Sequence, residues 1–351
     1  MIVPTYNERD NLKPLFQRIA AAMDGENRAF ELLIVDDNSP DGTAALARAL
    51  GPSVRAIVRE ERGLATAVIR GLREAKYDLC VCMDGDLSHP PEKIPELLGA
   101  LQGGSPFAIG SRYVQGGETV DWSPFRWLNS WGATLLARPL TKVHDPMSGF
   151  FACRREVVPY DDLNPIGYKI ALEILVKSGI SSPAEIPITF TDRLHGRSKM
   201  TPKEQVAYVT HLFRLYRWRW PIPVALVLFC AVGAIGMLVD LAVLTALVEG
   251  AGIWFGWARI GGFAAAVSMN FALNDNITFR HKGKPGLLNR YLRFVLTSTA
   301  GLSVNYATSM ALFSRFPWFE THYGAAAIMG VLAGTLVNFT GARWFAFRRQ
   351  G

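Results

Sequence analysis

Four long apolar stretches, at about 222–248, 254–279, 291–314 and 323–346, constrain the fold of this chain more than any other feature. Each is long enough to cross the hydrocarbon core of a bilayer as a helix. In that medium every backbone N–H and C=O must be satisfied within the segment, which leaves helices as the available form. The charge divides at the same place. Residues 1–221 hold 27 Lys/Arg and 26 Asp/Glu, whereas residues 222–351 hold 10 and 4. A basic excess confined to the apolar part argues for basic loops beside spans and against a nucleic-acid face. Arg280, His281, Lys282 and Lys284 follow the second stretch, Arg290 and Arg293 bracket the start of the third, and Arg348 and Arg349 follow the fourth, while the loops at 249–253 and 315–322 carry one Arg between them. The positive-inside rule then predicts a multi-pass protein of the cell membrane with both termini, and the domain ahead of the spans, in the cytoplasm.

The apolar part also repeats. Phe229, Gly236, Val239 and Ala242 recur 65 residues on as Phe294, Gly301, Val304 and Ala307. Gly262, Asn270, Phe271 and Phe279 recur 68 residues on as Gly330, Asn338, Phe339 and Phe347. The pattern predicts a hairpin duplicated in parallel, over 222–280 and 290–347. Asp240 lies inside the first stretch and corresponds to Asn305 in the third. An acid at that depth is a functional candidate by default, but a buried pair with Arg259 is the favoured expectation.

Residues 1–201 alternate in another way. Short apolar runs at Met1–Val3, Phe30–Val35, Val54–Val58, Leu79–Met83 and Phe107–Ser111 read as buried strands. Helical spacing covers Asn11–Met23, Asp41–Leu50, Leu64–Ala75 and Pro91–Leu101, with Asp41 a candidate N-cap. This alternation predicts an α/β domain with a mainly parallel sheet and crossover helices. The first run is short for a strand, so the start of the chain reads as trimmed. Cys80, Cys82, Cys153 and Cys230 have no zinc spacing, and no disulfide framework is expected.

Three strand ends deliver polar groups to one sheet edge: Pro4, Tyr6 and Glu8 from the first, Val35, Asp36 and Asp37 from the second, Asp84-Gly85-Asp86 from the fourth run. Open α/β sheets bind ligands at the carboxyl ends of their strands. Paired carboxylates there suit Mg²⁺ or Mn²⁺, which complete their shells with phosphate oxygens and water. There is no G-x-G-x-x-G and no Walker A sequence, so the dinucleotide and P-loop readings fail. A glycosidase is a poor fit, because Asp84 and Asp86 share one strand end and do not face each other across a sugar.

Pro4-Thr5-Tyr6-Asn7-Glu8, Val35-Asp36-Asp37-Asn38-Ser39-Pro40-Asp41-Gly42-Thr43 and Asp84-Gly85-Asp86-Leu87-Ser88-His89-Pro90-Pro91 resemble family 2 glycosyltransferases of the GT-A (Rossmann-like) fold. Gly110-Ser111-Arg112-Tyr113 and Asp145-Pro146-Met147-Ser148-Gly149-Phe150-Phe151 narrow the resemblance to dolichol-phosphate mannose synthases and related polyprenyl-phosphate glycosyltransferases. Residues 222–351 resemble the four-span GtrA-like membrane domains. The resemblance implies a GT-A domain over 1–201, interfacial amphipathic helices over 202–221 and a four-span domain over 222–351. It implies that Pro4, Tyr6, Glu8, Val35 and Asp37 hold the nucleoside. Asp84, Gly85 and Asp86 flank the donor diphosphate, with Mg²⁺ or Mn²⁺ on Asp84, Asp86 and, where the family often has Gln, Ser88. Arg112, Arg126 and Ser130 face the phosphate of the lipid acceptor, and guanidinium suits that task as a fixed fork of donors. Arg112 also borders the donor site. Arg193 and Lys199, in an R-x-x-G-x-S-K-like segment, clamp the donor diphosphate, while His195 and Arg197 read as loop residues.

The implied activity is inverting, metal-dependent transfer of one sugar, most readily mannose from GDP-mannose, to a polyprenyl or dolichyl phosphate at the membrane. Glucose from UDP-glucose is the alternative donor, and a flippase role for the spans the alternative of another class. No protein partner is implied. A processive synthase is disfavoured, because Arg214-Leu215-Tyr216-Arg217-Trp218 has Arg where such enzymes carry the Gln of Q-x-x-R-W.

Overall fold

The structure, a computed structural model, describes residues 1–26, 29–120, 122–191, 202–280 and 286–348. The chain separates into two compact units, Met1–Arg219 and Trp220–Gly351.

In the first unit, strand and helix alternate from β1 (Ile2–Thr5) through α1 (Arg9–Asp24), β2 (Leu32–Asp36), α2 (Thr43–Ala49), β3 (Val54–Val58), α3 (Leu64–Glu74) and β4 (Leu79–Cys82) to α4 (Ile94–Gln102) and β5 (Phe107–Ser111). Then come a short β6 (Glu118–Thr119), α5 (Pro124–Ala137), β7 (Phe151–Arg154), α6 (Ile170–Ser178), β8 (Ala184–Pro187), a short β9 (Thr189–Phe190) and α7 (Pro202–Arg219). The seven-stranded sheet has the order β3-β2-β1-β4-β7-β5-β8. It is parallel except for β7, which runs antiparallel to both β4 and β5.

Period-two alternation sorts the side chains of β1 and β2 to opposite faces. Ile2, Leu33 and Val35 pack with Val68 and Leu72 of α3 and Ile174 and Leu175 of α6. Val3, Leu32 and Ile34 pack with Leu12, Leu15 and Ile19 of α1 and with Leu97 and Leu101 of α4. The result is a three-layer α/β/α domain. Two details depart from expectation. Asp41 stands one residue ahead of the α2 N-cap, Gly42 (φ +85°), yet its Oδ1 still accepts the Thr43 N–H at 2.9 Å. The antiparallel β7, which shares only Phe151 with the Asp145–Phe151 motif, has no counterpart among the strands expected from sequence.

Helices α5 and α7 are amphipathic. Leu212 and Leu215 of α7 pack on Ala137, Leu172 and Val176, and Tyr208 and Tyr216 donate to the Ala133 and Leu136 carbonyls at 2.6 and 2.8 Å. Outward, α7 exposes Val206, Val209, Phe213 and Trp218. On α5, Phe125, Trp127, Leu128, Trp131, Leu135 and Leu136 are each at least half exposed. The α7 helix was expected from sequence; the apolar outer face of α5 was not.

The second unit is helical: α8 (Pro221–Thr245), α9 (Phe255–Leu273), α10 (Leu287–Arg315), a short α11 (Pro317–Thr321) and α12 (Tyr323–Gly341). Among the described residues two helical segments, Pro221–Gly250 and Tyr323–Ala346, are long and apolar enough to cross a membrane. The second and third stretches form helices that fall short of that test. Ser268, Asn270 and Asn274 dilute the hydropathy of one, and Arg290, Arg293, Thr297, Ser298, Thr299, Ser303 and Asn305 that of the other. Both α9 and α12 run into a π-helical turn, Asn274–Thr278 and Ala342–Ala346, a rare feature placed 68 residues apart.

Six phenylalanines form the core of this unit, and their contacts obey the repeat. Phe229–Phe279 at 6.3 Å has its counterpart in Phe294–Phe347 at 5.7 Å, and Phe229–Phe339 at 5.6 Å in Phe271–Phe294 at 5.8 Å. Phe279–Phe339 at 6.2 Å matches Phe271–Phe347 at 5.8 Å, and Phe279 stacks on its own counterpart, Phe347, at 5.0 Å. Within each hairpin a glycine admits an asparagine. A Cβ on Gly236 would collide with the Asn270 carboxamide, and one on Gly301 with that of Asn338. Asp240 does pair with Arg259, as expected.

These close approaches predict that Gly236→Ala and Gly301→Ala each destabilise the second unit by about 1–3 kcal/mol through overpacking. Gly233→Ala, whose Cβ would meet nothing within 4 Å, should leave it unchanged. Thermal unfolding of the detergent-solubilised protein checks this.

Candidate active site

The strand ends of β1, β2 and β4 lie side by side, and the loops leaving them are held in unusual backbone. Asn7, Asn38 and Leu87 have φ of 58°, 56° and 64° and are the three non-glycine residues of positive φ among those described. Asn tolerates that region, but Leu there is strained by roughly 1–3 kcal/mol, a cost typical of sites the surrounding structure must enforce. Gly85 completes the close approach: a Cβ there would press on Thr5 and Val3 side chains at 3.3 Å.

The two acids of β2 divide their work. Asp36 is fully buried. It accepts the Thr5 hydroxyl at 2.9 Å, the Ser39 N–H at 2.8 Å and the Ser39 hydroxyl at 2.5 Å, so it is a turn-building residue. Asp37 faces the loop after β3. It accepts Arg59 Nε at 2.5 Å and the Gly63 N–H at 2.9 Å. Arg62, on the same loop, stacks over the Tyr6 ring at 4.4 Å and donates to its hydroxyl at 2.7 Å. Tyr6 and Asp37 thus meet the same loop, while Pro4 lies beside Val35 in the β1–β2 ladder. The Val35 side chain does not join them: it lies in the core, fully buried, so only its main chain can meet a ligand. Glu8 binds Asn11 Nδ2 at 2.7 Å through its carboxylate.

After β4, Asp84 is partly exposed and Asp86 is buried. Ser88 donates to Asp86 Oδ1 through its N–H at 3.1 Å and its hydroxyl at 2.6 Å. Ser88 therefore orients Asp86, where the sequence had suggested a metal ligand. His89 Nδ1 accepts the Asp84 N–H at 3.1 Å, which puts its proton on Nε2. The ring stacks on Phe150 at 5.3 Å, and burial depresses its pKa, so it is neutral near pH 7. Among the described residues no three His, Cys, Asp or Glu converge as a metal cluster. Two hard carboxylates at one strand end instead fit a Mg²⁺- or Mn²⁺-class ion that shares its shell with a diphosphate.

Across the strand ends sits Arg112, after β5. Its guanidinium makes a bidentate pair with Asp145, Nε to Oδ2 at 2.6 Å and Nη2 to Oδ1 at 2.7 Å, and its backbone N–H meets Oδ2 at 3.1 Å. Asp145 is wholly buried. Burial works against the Arg112 charge, but the Asp145 carboxylate outweighs it and raises the pKa. Arg112 and Arg126 both lie on the Trp122 ring, at 4.9 and 4.5 Å, and near Phe190, at 5.4 and 6.0 Å. Tyr113 and Ser130 share a hydrogen bond of 2.8 Å beside them. The indole N–H of Trp122 is buried without a hydrogen-bond partner. Two guanidiniums gathered on one indole, one of them already paired with Asp145, are chemically suited to receive an anion. Arg193, His195, Arg197 and Lys199 lie outside the described residues.

Sequence reasoning missed Asp145 as Arg112's partner, the Trp122–Phe190 cage, and Lys169, whose ammonium donates to the Met147 carbonyl at 2.7 Å. Asp145 and Met147 belong to the Asp145–Phe151 motif, so the motif marked the place without its partners.

The chain matches glycosyl transferase family 2 over residues 1–159 and the GtrA/DPMS transmembrane domain over residues 228–347. It is 41% identical to a dolichol-phosphate mannosyltransferase of Pyrococcus furiosus, covering 97% of this chain and 96% of that one. It is 45% identical to a dolichol-phosphate mannosyltransferase of Mycosarcoma maydis over 65% of this chain and 82% of that one. A polyprenol monophosphomannose synthase of Mycolicibacterium smegmatis is 39% identical over 57% of this chain and 80% of its own length.

Removing the buried countercharge has a definite cost. Asp145→Ala should destabilise the first unit by about 3–5 kcal/mol, because it strands the Arg112 guanidinium. The double variant Arg112→Met with Asp145→Leu should regain much of that loss. Thermal unfolding of the two variants is the check.

Proposed function

The chain belongs to the dolichol-phosphate mannosyltransferases, and on that footing we propose that it moves mannose from GDP-mannose to a polyprenyl phosphate, with inversion, at the cytoplasmic face of the cell membrane. It is a glycosyltransferase and a membrane protein by family. The observation that carries the rest is the pair of guanidiniums on Trp122, one of them mounted on α5, whose outer face is apolar.

A lipid monophosphate is largely dianionic near neutral pH, its second pKa being about 6. Arg112 and Arg126 bind that phosphate, and Asp145 fixes the Arg112 fork so that no reorganisation is needed as the reaction begins. Ser130, tied to Tyr113, offers a hydroxyl to the same group. The exposed apolar faces of α5 and α7 rest on the bilayer, so that the acceptor reaches the arginines from its own lipid. Four spans, α8, α9, α10 and α12, anchor the enzyme, and the basic loops hold it cytoplasm-side.

On the donor side Pro4, Tyr6, Glu8, Asp37 and the Val35 main chain hold the nucleoside, with Arg62 moving off Tyr6 to admit it. Asp84 and Asp86 face the diphosphate, and Arg193 and Lys199 clamp it. A Mg²⁺ or Mn²⁺ ion on these acids would neutralise the leaving diphosphate. The acceptor phosphate is already an anionic nucleophile, so it attacks the anomeric carbon without a general base. One displacement inverts that centre. The nearby His89 is a poor base, because it is buried and its Nδ1 lone pair is spent on the Asp84 N–H.

A panel of nucleotide-sugars with a short-chain prenyl phosphate and Mg²⁺ or Mn²⁺ tests this. GDP-mannose should give transfer, Asp86→Ala should lower kcat by about 10²–10³-fold or more, and Ser88→Ala should keep activity with a weaker metal dependence. A folded protein that transfers from no donor, or an Asp86→Ala variant as active as wild type, refutes the proposal.

A further inference from the structure

Lys169 stands immediately ahead of α6 and belongs to neither the donor nor the acceptor grouping. Its ammonium donates to the Met147 carbonyl at 2.7 Å and lies 4.4 Å from the centroid of the Tyr168 ring. The charged groups that act on it come from three other elements: Arg112 after β5, Asp145 ahead of β7, and Asp84 after β4. It therefore sits within the field of both the acceptor arginine and the donor acid. Burial, and secondarily the Arg112 charge, depress its pKa to about 8.

The nearby countercharges are already committed. Asp145 spends both oxygens on Arg112, and Asp84 belongs to the diphosphate end. A half-buried ammonium in the field of a guanidinium is costly unless an anion completes the arrangement. An ammonium has three donors, of which Met147 occupies one. A Lys at this point offers a compact, rotatable charge, where a planar fork would demand one orientation.

We propose that Lys169 contacts the phosphate of the lipid acceptor on its sugar-facing side and holds the attacking oxygen in line with the anomeric carbon. This rests on the transferase reading above. The new bond joins the phosphate oxygen to that carbon; the bond to the donor diphosphate breaks, and the diphosphate leaves with the electron pair. No proton passes to or from Lys169. Its charge is required throughout, so it acts as the ammonium.

The test uses the full-length protein in detergent with a water-soluble short-chain prenyl phosphate. Binding is measured by calorimetry and transfer by kinetics, for wild type, Lys169→Met and Lys169→Arg. Lys169→Met should lose about 10-fold or more in affinity and in kcat/KM for the acceptor, the scale of a lost charged hydrogen bond, while its affinity for GDP stays that of wild type. In wild type, kcat/KM for the acceptor should fall as pH rises through about 8, where the ammonium deprotonates. Lys169→Arg, charged throughout, should move that alkaline limb upward. Wild-type acceptor binding by Lys169→Met, or an equal loss of GDP and acceptor binding, overturns the proposal. Should Lys169→Met fail to fold, an unmoved alkaline limb in Lys169→Arg overturns it. Should wild type transfer from no donor, the transferase reading fails, and acceptor binding by the variants still decides the role of Lys169.

Discussion

The buried bidentate pair of Arg112 and Asp145 is the interaction on which the site depends. Taking a guanidinium and a carboxylate out of water is expensive, and good geometry with further hydrogen bonds is what offsets it. Here the carboxylate receives both guanidinium donors and the Arg112 backbone N–H. The pair also fixes the loop that Asp145 opens. Two residues on, the Met147 carbonyl takes the Lys169 ammonium. Gly149 packs beside Asp84, and Phe150 lies under His89, which in turn holds the Asp84 N–H. One short segment thereby sets the mutual positions of Arg112, Lys169 and Asp84. Fixed dipoles and charges of this kind need no rearrangement during reaction, which is how such sites lower barriers.

Much of this was legible in the sequence, because it is written locally. The period-two and period-3.6 patterns marked the strands and helices from β1 to β5, the D-x-D stood out by residue type at a strand end, and Arg112 and Arg126 were marked by the family resemblance. Contacts between distant segments were hidden. Nothing at Asp145 announces a partner 33 residues earlier, and nothing in the sequence marks Lys169 until the segments bearing Met147, Arg112 and Asp84 are brought together. The resemblance implied a ligand contact at Val35, but alternation turns its side chain into the core. The resemblance put Ser88 where the family often has a Gln beside the metal, and here its short side chain hydrogen-bonds to the buried Asp86 carboxylate.

The second unit makes the opposite point. Its repeat could be read by offset alone, and the same offsets relate the phenylalanine contacts and the two glycine–asparagine approaches. What departs from symmetry is charge. Asp240 and Arg259 pair in the first hairpin, where the second has Asn305 and Ala327. Asp275 and Arg290 form a second pair, which unlike the first is buried, and the residue that corresponds to Asp275 is Arg343. A buried pair such as Asp275–Arg290 contributes little net stability, whereas removal of one partner alone is costly.

The central claim is that the acceptor's phosphate sits on the paired arginines over Trp122. A structure of the protein with a short-chain prenyl phosphate bound tests it most directly. The phosphate should lie within hydrogen-bond distance of both Arg112 and Arg126, with Asp145 still paired to Arg112. A phosphate bound instead at Arg59 and Arg62, beside Asp37, would contradict the claim.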